Sequence, residues 1–118
     1  MSHDFQPGDF LVFQLEAGYG LMRVLDFEGA GEDMIWHVAA FDDLFFDIDS
    51  AERAIHSESL SPATPHLALT NRAFESTQVA KISNKPVQQA EVSAVREWQL
   101  DTGTSPSDRS IRLHMGVR

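Results

Sequence analysis

Five histidines, His3, His37, His56, His66 and His114, are the side chains of this sequence best suited to proton transfer or metal binding. No two stand four residues apart and no HExxH occurs, so the spacing of a helix-borne zinc site is missing. His37 falls in an alternating apolar run and the others at element ends or in loops, which reads as structural use. Asp42, Asp43, Asp47 and Asp49, followed by Glu52, supply oxygen ligands at spacings that partly resemble a calcium loop. The stretch "DDLFFDIDSAER" has apolar residues where such a loop bends and no glycine at its middle, so it reads as a solvated acidic patch with a helix cap. No metal or cofactor is expected. Ser57, Ser59 and Ser61 lie near His56 and His66, yet no nucleophile elbow surrounds them. "GAGED", Gly29 to Asp33, lacks the Lys-Ser/Thr of a phosphate loop and is flanked by acids, so it reads as a turn. The chain has no cysteine, which removes thiolate chemistry and disulfides and suits a reducing compartment such as the cytoplasm. Nothing in these motifs identifies a reaction, and the expectation is a protein that is not an enzyme.

The elements that must carry these residues begin with "DFLVFQL", Asp9 to Leu15, whose alternate positions are apolar on both faces, as in a strand covered on both sides. Gly18 and Gly20 turn it into a return strand, "YGLMRVLDF", and after the "EGAGED" turn "MIWHVAAF" reads as a third strand. Asp49 or Ser50 is placed to cap a short helix with Ala51, Ala54 and Ile55 on one face. "SESLSPATPH" cannot continue ladder or helix and reads as a loop, followed by strands in "HLALTNRAF" and "TQVAKI". Residues Pro86 to Leu100, capped by Ser83 or Asn84, repeat apolar positions at helical spacing and are expected to bury Val87, Ala94, Val95 and Trp98. "RSIRLHMGV" alternates Ile111, Leu113 and Met115 and reads as a final strand. The fold expected is α+β: one domain over residues 1–118, a bent antiparallel sheet or partly open SH3-like barrel of five to seven strands, with that helix and one short helix packed on it.

The 118 residues are 42% hydrophobic, enough for one core, and carry a formal charge of -9. The charge is uneven: residues 1–60 hold 13 acids against two arginines, whereas residues 61–118 hold five acids against seven Lys and Arg. An acidic N-terminal half argues against nucleic acid, and Lys81, Lys85, Arg96, Arg109, Arg112 and Arg118 are too dispersed to read as a phosphate-binding patch. No apolar run approaches the ~20 residues of a membrane span, and the N-terminus shows no signal-peptide pattern. Clustered carboxylates suit a basic protein partner, through steering and complementarity.

"PGDFLVFQLEAGYGLMRVLDF", Pro7 to Phe27, resembles the opening of the immunity protein 26 family of bacterial polymorphic-toxin systems. The stretch covers about one-sixth of the chain, and the matching residues in it are Gly8, Asp9, Phe10, Gly18, Tyr19, Gly20, Arg23, Val24 and Leu25. The resemblance implies a cytoplasmic inhibitor that binds a cognate toxin without catalysis of its own. The expected interface is Tyr19, exposed at its turn, with Glu28, Glu32, Asp33, Asp42, Asp43, Asp47 and Asp49, contacting a basic, nuclease-type toxin. The alternative is a small-molecule binder or enzyme whose pocket, inside the curved sheet, is lined by Arg23, Trp36 and His37.

Overall fold

The computed structural model describes residues 5–101 and 103–115, which leaves His3 and Arg118 outside the described residues. Five strands, β1 (Asp9–Leu15), β2 (Gly18–Glu28), β3 (Ile35–Phe45), β4 (Thr64–Thr70) and β5 (Ala80–Asn84), form one antiparallel sheet in the order β4-β3-β2-β1-β5. The outer strands β4 and β5 do not pair with each other, so the sheet is open. The helices are α1 (Ile48–His56), α2 (Asn71–Glu75), α3 (Gln89–Leu100) and α4 (Ile111–His114).

Strand β1 is apolar on both faces because both are covered. Leu11, Phe13 and Leu15 join Met22, Val24, Trp36, Val38 and Leu69 beneath Phe74 of α2 and Ile111 of α4. Phe10 and Val12 join Leu21 and Phe41 beneath Ala51 and Ile55 of α1. Beside them, Val95 of α3 packs on Leu25 and Ala39. The sheet is thus the middle of three layers, and each large side chain buried there contributes ~1.5–3 kcal/mol. The Trp36 and Phe74 rings stack 4.1 Å apart at 8°, and the indole N–H donates to Asn71 at 3.0 Å.

Gly8 closes the far edge. Its N–H donates to Val24 at 2.7 Å and its carbonyl accepts from Lys85 at 3.1 Å, with φ at +95°, where a side chain would be strained and would meet the Lys85 carbonyl. Next to it Asp9 is fully buried, accepting from Asn84 at 2.7 Å and from the Gln6 N–H at 2.8 Å, with the Lys81 ammonium 3.2 Å away. Burial alone would raise the Asp9 pKa. The bonds from Asn84, Gln6 and Lys81 outweigh it and hold the carboxyl below its ordinary value.

Three of the four register irregularities, two between β2 and β3 and one between β3 and β4, set which side chains meet. In β2, Val24 pairs with Val38 and Asp26 with His37, so one extra residue, Leu25, is inserted. The insertion switches the alternation, turning Phe27 towards Trp36 and Glu28 towards His37. In β4 the shift lies between the Val38–Leu67 and Ala40–Thr64 pairs, where Pro65, lacking an N–H, suits the defect. In β3, Asp42, Asp43 and Leu44 stand opposite Gly20 alone, between the pairs Tyr19–Phe45 and Leu21–Phe41. That bulge inserts two extra residues into β3.

Several boundaries differ from expectation for local reasons. Asp47, rather than Asp49 or Ser50, caps α1 by accepting from the Ser50 N–H at 2.7 Å. Helix α3 starts at Gln89 rather than around Pro86, because the Glu91 carboxylate turns back to accept from the Gln88 N–H at 2.8 Å. "HLALTNRAF" is a strand only to Thr70, whose hydroxyl accepts from the Ala73 N–H at 3.1 Å and starts α2. "RSIRLHMGV" is not a strand. Ser110 caps the short helix α4, burying Ile111 and leaving Leu113 exposed, so its alternation carried no ladder.

Candidate functional site

The acidic residues fall at two ends of the β2–β3 hairpin, separated by the length of β3, on the order of 30 Å. Asp42 and Asp43 lie on the wide bulge, Asp47 caps α1 and Asp49 is in its first turn. Tyr19 is at this end too, opposite Phe45, and is half-buried rather than free at a turn tip. Between these acids the chain exposes three large apolar side chains: Leu44 at 47%, Phe46 at 90% and Ile48 at 37%, while Phe45 turns inward against the core. Hydrogen bonds to Ser50 hold the Asp47 carboxyl below its ordinary pKa.

At the other end Glu32 and Asp33 are exposed on a 3-10 turn, Gly31–Asp33, and border an open cleft shared with Asn71, Arg72 and Glu75 of α2. Glu28 is half-buried and points to His37. The expected interface residues are therefore not one continuous patch. Among the described residues, Glu32, Asp33, Asp42, Asp43 and Asp49 form no ion pair.

The second cluster is polar and covered. His37 is fully buried, with Nε2 2.7 Å from Glu28 Oε2 and Nδ1 2.9 Å from His66 Nε2. Gln99 of α3 donates to the same Glu28 oxygen at 2.6 Å, and Trp98 sets its edge against His37 at 5.2 Å. The two imidazoles stack 5.1 Å apart. Burial, then the neighbouring His37, lowers the His66 pKa to about 4. The Gln99 and His37 bonds hold Glu28 below the usual carboxylate range. The row His66–His37–Glu28 can pass a proton along its hydrogen bonds, and it latches the C-terminal half of α3 onto three strands.

Arg23 fastens the other end of the same helix. Its Nη2 donates to the carbonyls of Lys85 and Pro86 at 2.9 Å each, its Nε lies 3.0 Å from Glu91, and its guanidinium covers the Phe10 ring at 4.7 Å. Arg23 is thus taken up by Lys85, Pro86 and Glu91, and His37 by Glu28 and His66 beneath Trp98. Trp36 lies on the opposite sheet face against Phe74. The pocket expected from Arg23, Trp36 and His37 does not form; the cleft nearest this face, about 110 Å³, is lined by Leu25, Asp26, Val92, Val95, Arg96 and Gln99. Trp98, expected as a core anchor, is half-buried and serves as a lid on the histidine pair.

Sequence reasoning missed the pairing of His66 with His37, whose only local sign was Pro65, a residue that breaks ladder register. Among the described residues no three His, Cys, Asp or Glu side chains converge as metal ligands, and no helix is long and apolar enough to cross a membrane. Comparison of the chain with family models, curated proteins and solved structures gives no match.

Proposed function

We propose that this chain is a protein-binding module that neutralises a basic partner in the cytoplasm, of the nuclease-toxin type that the resemblance of residues Pro7 to Phe27 suggests. The observation that carries the reading is the disposition of charge. Among the described residues, Glu32 and Asp33 at one end of the β2–β3 hairpin and Asp42, Asp43 and Asp49 at the other form no ion pair, while Asp9, Arg23 and His37 on the covered sheet faces are engaged internally. Unpaired carboxylates speed encounter with a basic surface, and over a nuclease they compete with its phosphate substrate. The engagement of Arg23 by Lys85, Pro86 and Glu91, and of His37 by Glu28 and His66, favours this reading over a ligand pocket.

Capture from the source cell with the immobilised chain, followed by identification of the retained proteins against the products of neighbouring reading frames, tests it. The expected result is a basic protein released as salt rises. Retention of no basic protein, or an interaction indifferent to salt, sinks the proposal.

A further inference from the structure

Of the five large apolar side chains exposed among the described residues, three, Leu44, Phe46 and Ile48, lie within five consecutive positions. Their exposure is built in. The bulge opposite Gly20 leaves Leu44 without a partner of its own on β2, and Phe45 packs into the core against β1 and α1. Phe46 is then left pointing out at the β3–α1 junction, and the Asp47 cap, bonded to Ser50, fixes the start of the helix behind it. An aromatic at 90% exposure on so constrained a segment loses little conformational freedom on binding. Asp42, Asp43, Asp47 and Asp49 alternate along the chain with this apolar group, supplying the carboxylates of a polar rim beside an interface hot spot.

Resting on the protein-binding reading above, we infer that the segment Asp42–Asp49 is the docking surface, and that Phe46 is its anchor, entering an apolar depression rimmed by Lys and Arg on the basic partner. The rim decides between occupants. A second copy of the chain would bring the same four aspartates face to face, and an anionic lipid surface would be repelled by them. A basic protein satisfies the apolar centre and the acidic rim together.

The test uses the full chain and the purified basic protein that it retains in the capture experiment, with affinities measured for two variants. Phe46→Ser alters the proposed anchor; Glu32→Lys/Asp33→Lys alters the acids at the opposite end of the hairpin. All these positions are exposed, and melting curves serve to check that both variants fold. Phe46→Ser is expected to weaken binding at least about tenfold, with the Glu32/Asp33 variant within about threefold of the parent. As a second measurement, Asp42→Asn/Asp43→Asn should flatten the salt dependence of the association rate. Undiminished binding by Phe46→Ser, or an equal or greater loss in the Glu32/Asp33 variant, overturns the inference and leaves the binding-module reading standing. Retention of no basic protein by the parent chain overturns both.

Discussion

Lowering the pH should loosen α3 through His66, and the size of the effect follows from the geometry. The His66 ring is partly enclosed by Trp98 and stacked on His37, and its pKa falls from 6.5 to about 4. Above pH 6.5 the residue is neutral whether the chain is folded or unfolded, and the stabilising difference is fully present. Between 6.5 and about 4 the unfolded chain takes up a proton that the folded chain refuses, so stability falls as pH falls; below that window both states are protonated and the loss stops. Each pH unit crossed costs about 1.4 kcal/mol for one proton, and screening of a partly exposed ring brings the loss between pH 7.5 and 5 down to ~1 kcal/mol. Urea unfolding at those two pH values, with His66→Gln beside the parent, measures it: the variant should lose ~1 kcal/mol less than the parent. His114, also lowered by burial and by Arg109, titrates in the same direction in both proteins and cancels in the comparison. Trp98→Ala, which removes the lid, should return the His66 midpoint, followed by its ring proton resonances, towards 6.5. Equal pH slopes in parent and His66→Gln, or a parent midpoint already near 6.5, would refute the reasoning.

Arg23→Leu strips two hydrogen bonds and one ion pair from α3 and the segment leading into it and should destabilise by ~2–4 kcal/mol, seen as a lower urea midpoint, with early loss of amide protection in α3. Gly20→Ala places a methyl 2.6 Å from the buried Phe13 ring, and thermal unfolding should show a loss of ~1–3 kcal/mol. Asp9→Asn should cost ~2–4 kcal/mol at neutral pH in the same assay. Because the Asp9 pKa is lowered, that penalty should shrink as acid protonates the parent's carboxyl below its unfolded pKa of 3.8.

The sheet was legible because burial on both faces leaves a pattern that survives in one dimension: "DFLVFQL" could be covered on both sides only, and the glycines after it could only turn. Helix α3 was legible in its body but not its start, since Gln88 and Glu91 cap by a reciprocal contact rather than by a serine or asparagine. Strict alternation places Glu28 on the face opposite Arg23 and Leu25, and the inserted Leu25 reverses this. No propensity marks that insertion. For the same reason the Glu28–His37–His66 row was invisible: the inserted Leu25 turns Glu28 to His37, whose strand partner Ala68 shares its face of β4 with His66. Of the acidic residues, Glu32, Asp33, Asp42, Asp43 and Asp49 are exposed and Glu28 and Asp47 half-buried, and their division between two ends of a hairpin was not legible because charge counts carry no direction along a strand. Phe46 was missed as a surface residue because "LFF" reads as a buried burst until the bulge is known.

The pairing of β1 with β5 carries a kinetic cost. Strands β1, β2 and β3 are consecutive and zip by short turns, whereas Asp9 and Asn84, which meet across the β1–β5 seam, are 75 positions apart. Loop closure over that separation makes β5 a late arrival. Until it docks, β1 is a growing edge with unsatisfied backbone groups and apolar side chains on both faces, a template on which a second nascent chain can add. Refolding yield should therefore drop as protein concentration rises, while the rate of forming the β1–β3 meander stays constant. A living cell would meet the same hazard during synthesis, in the interval after β3 leaves the ribosome and before residues 80–84 follow it.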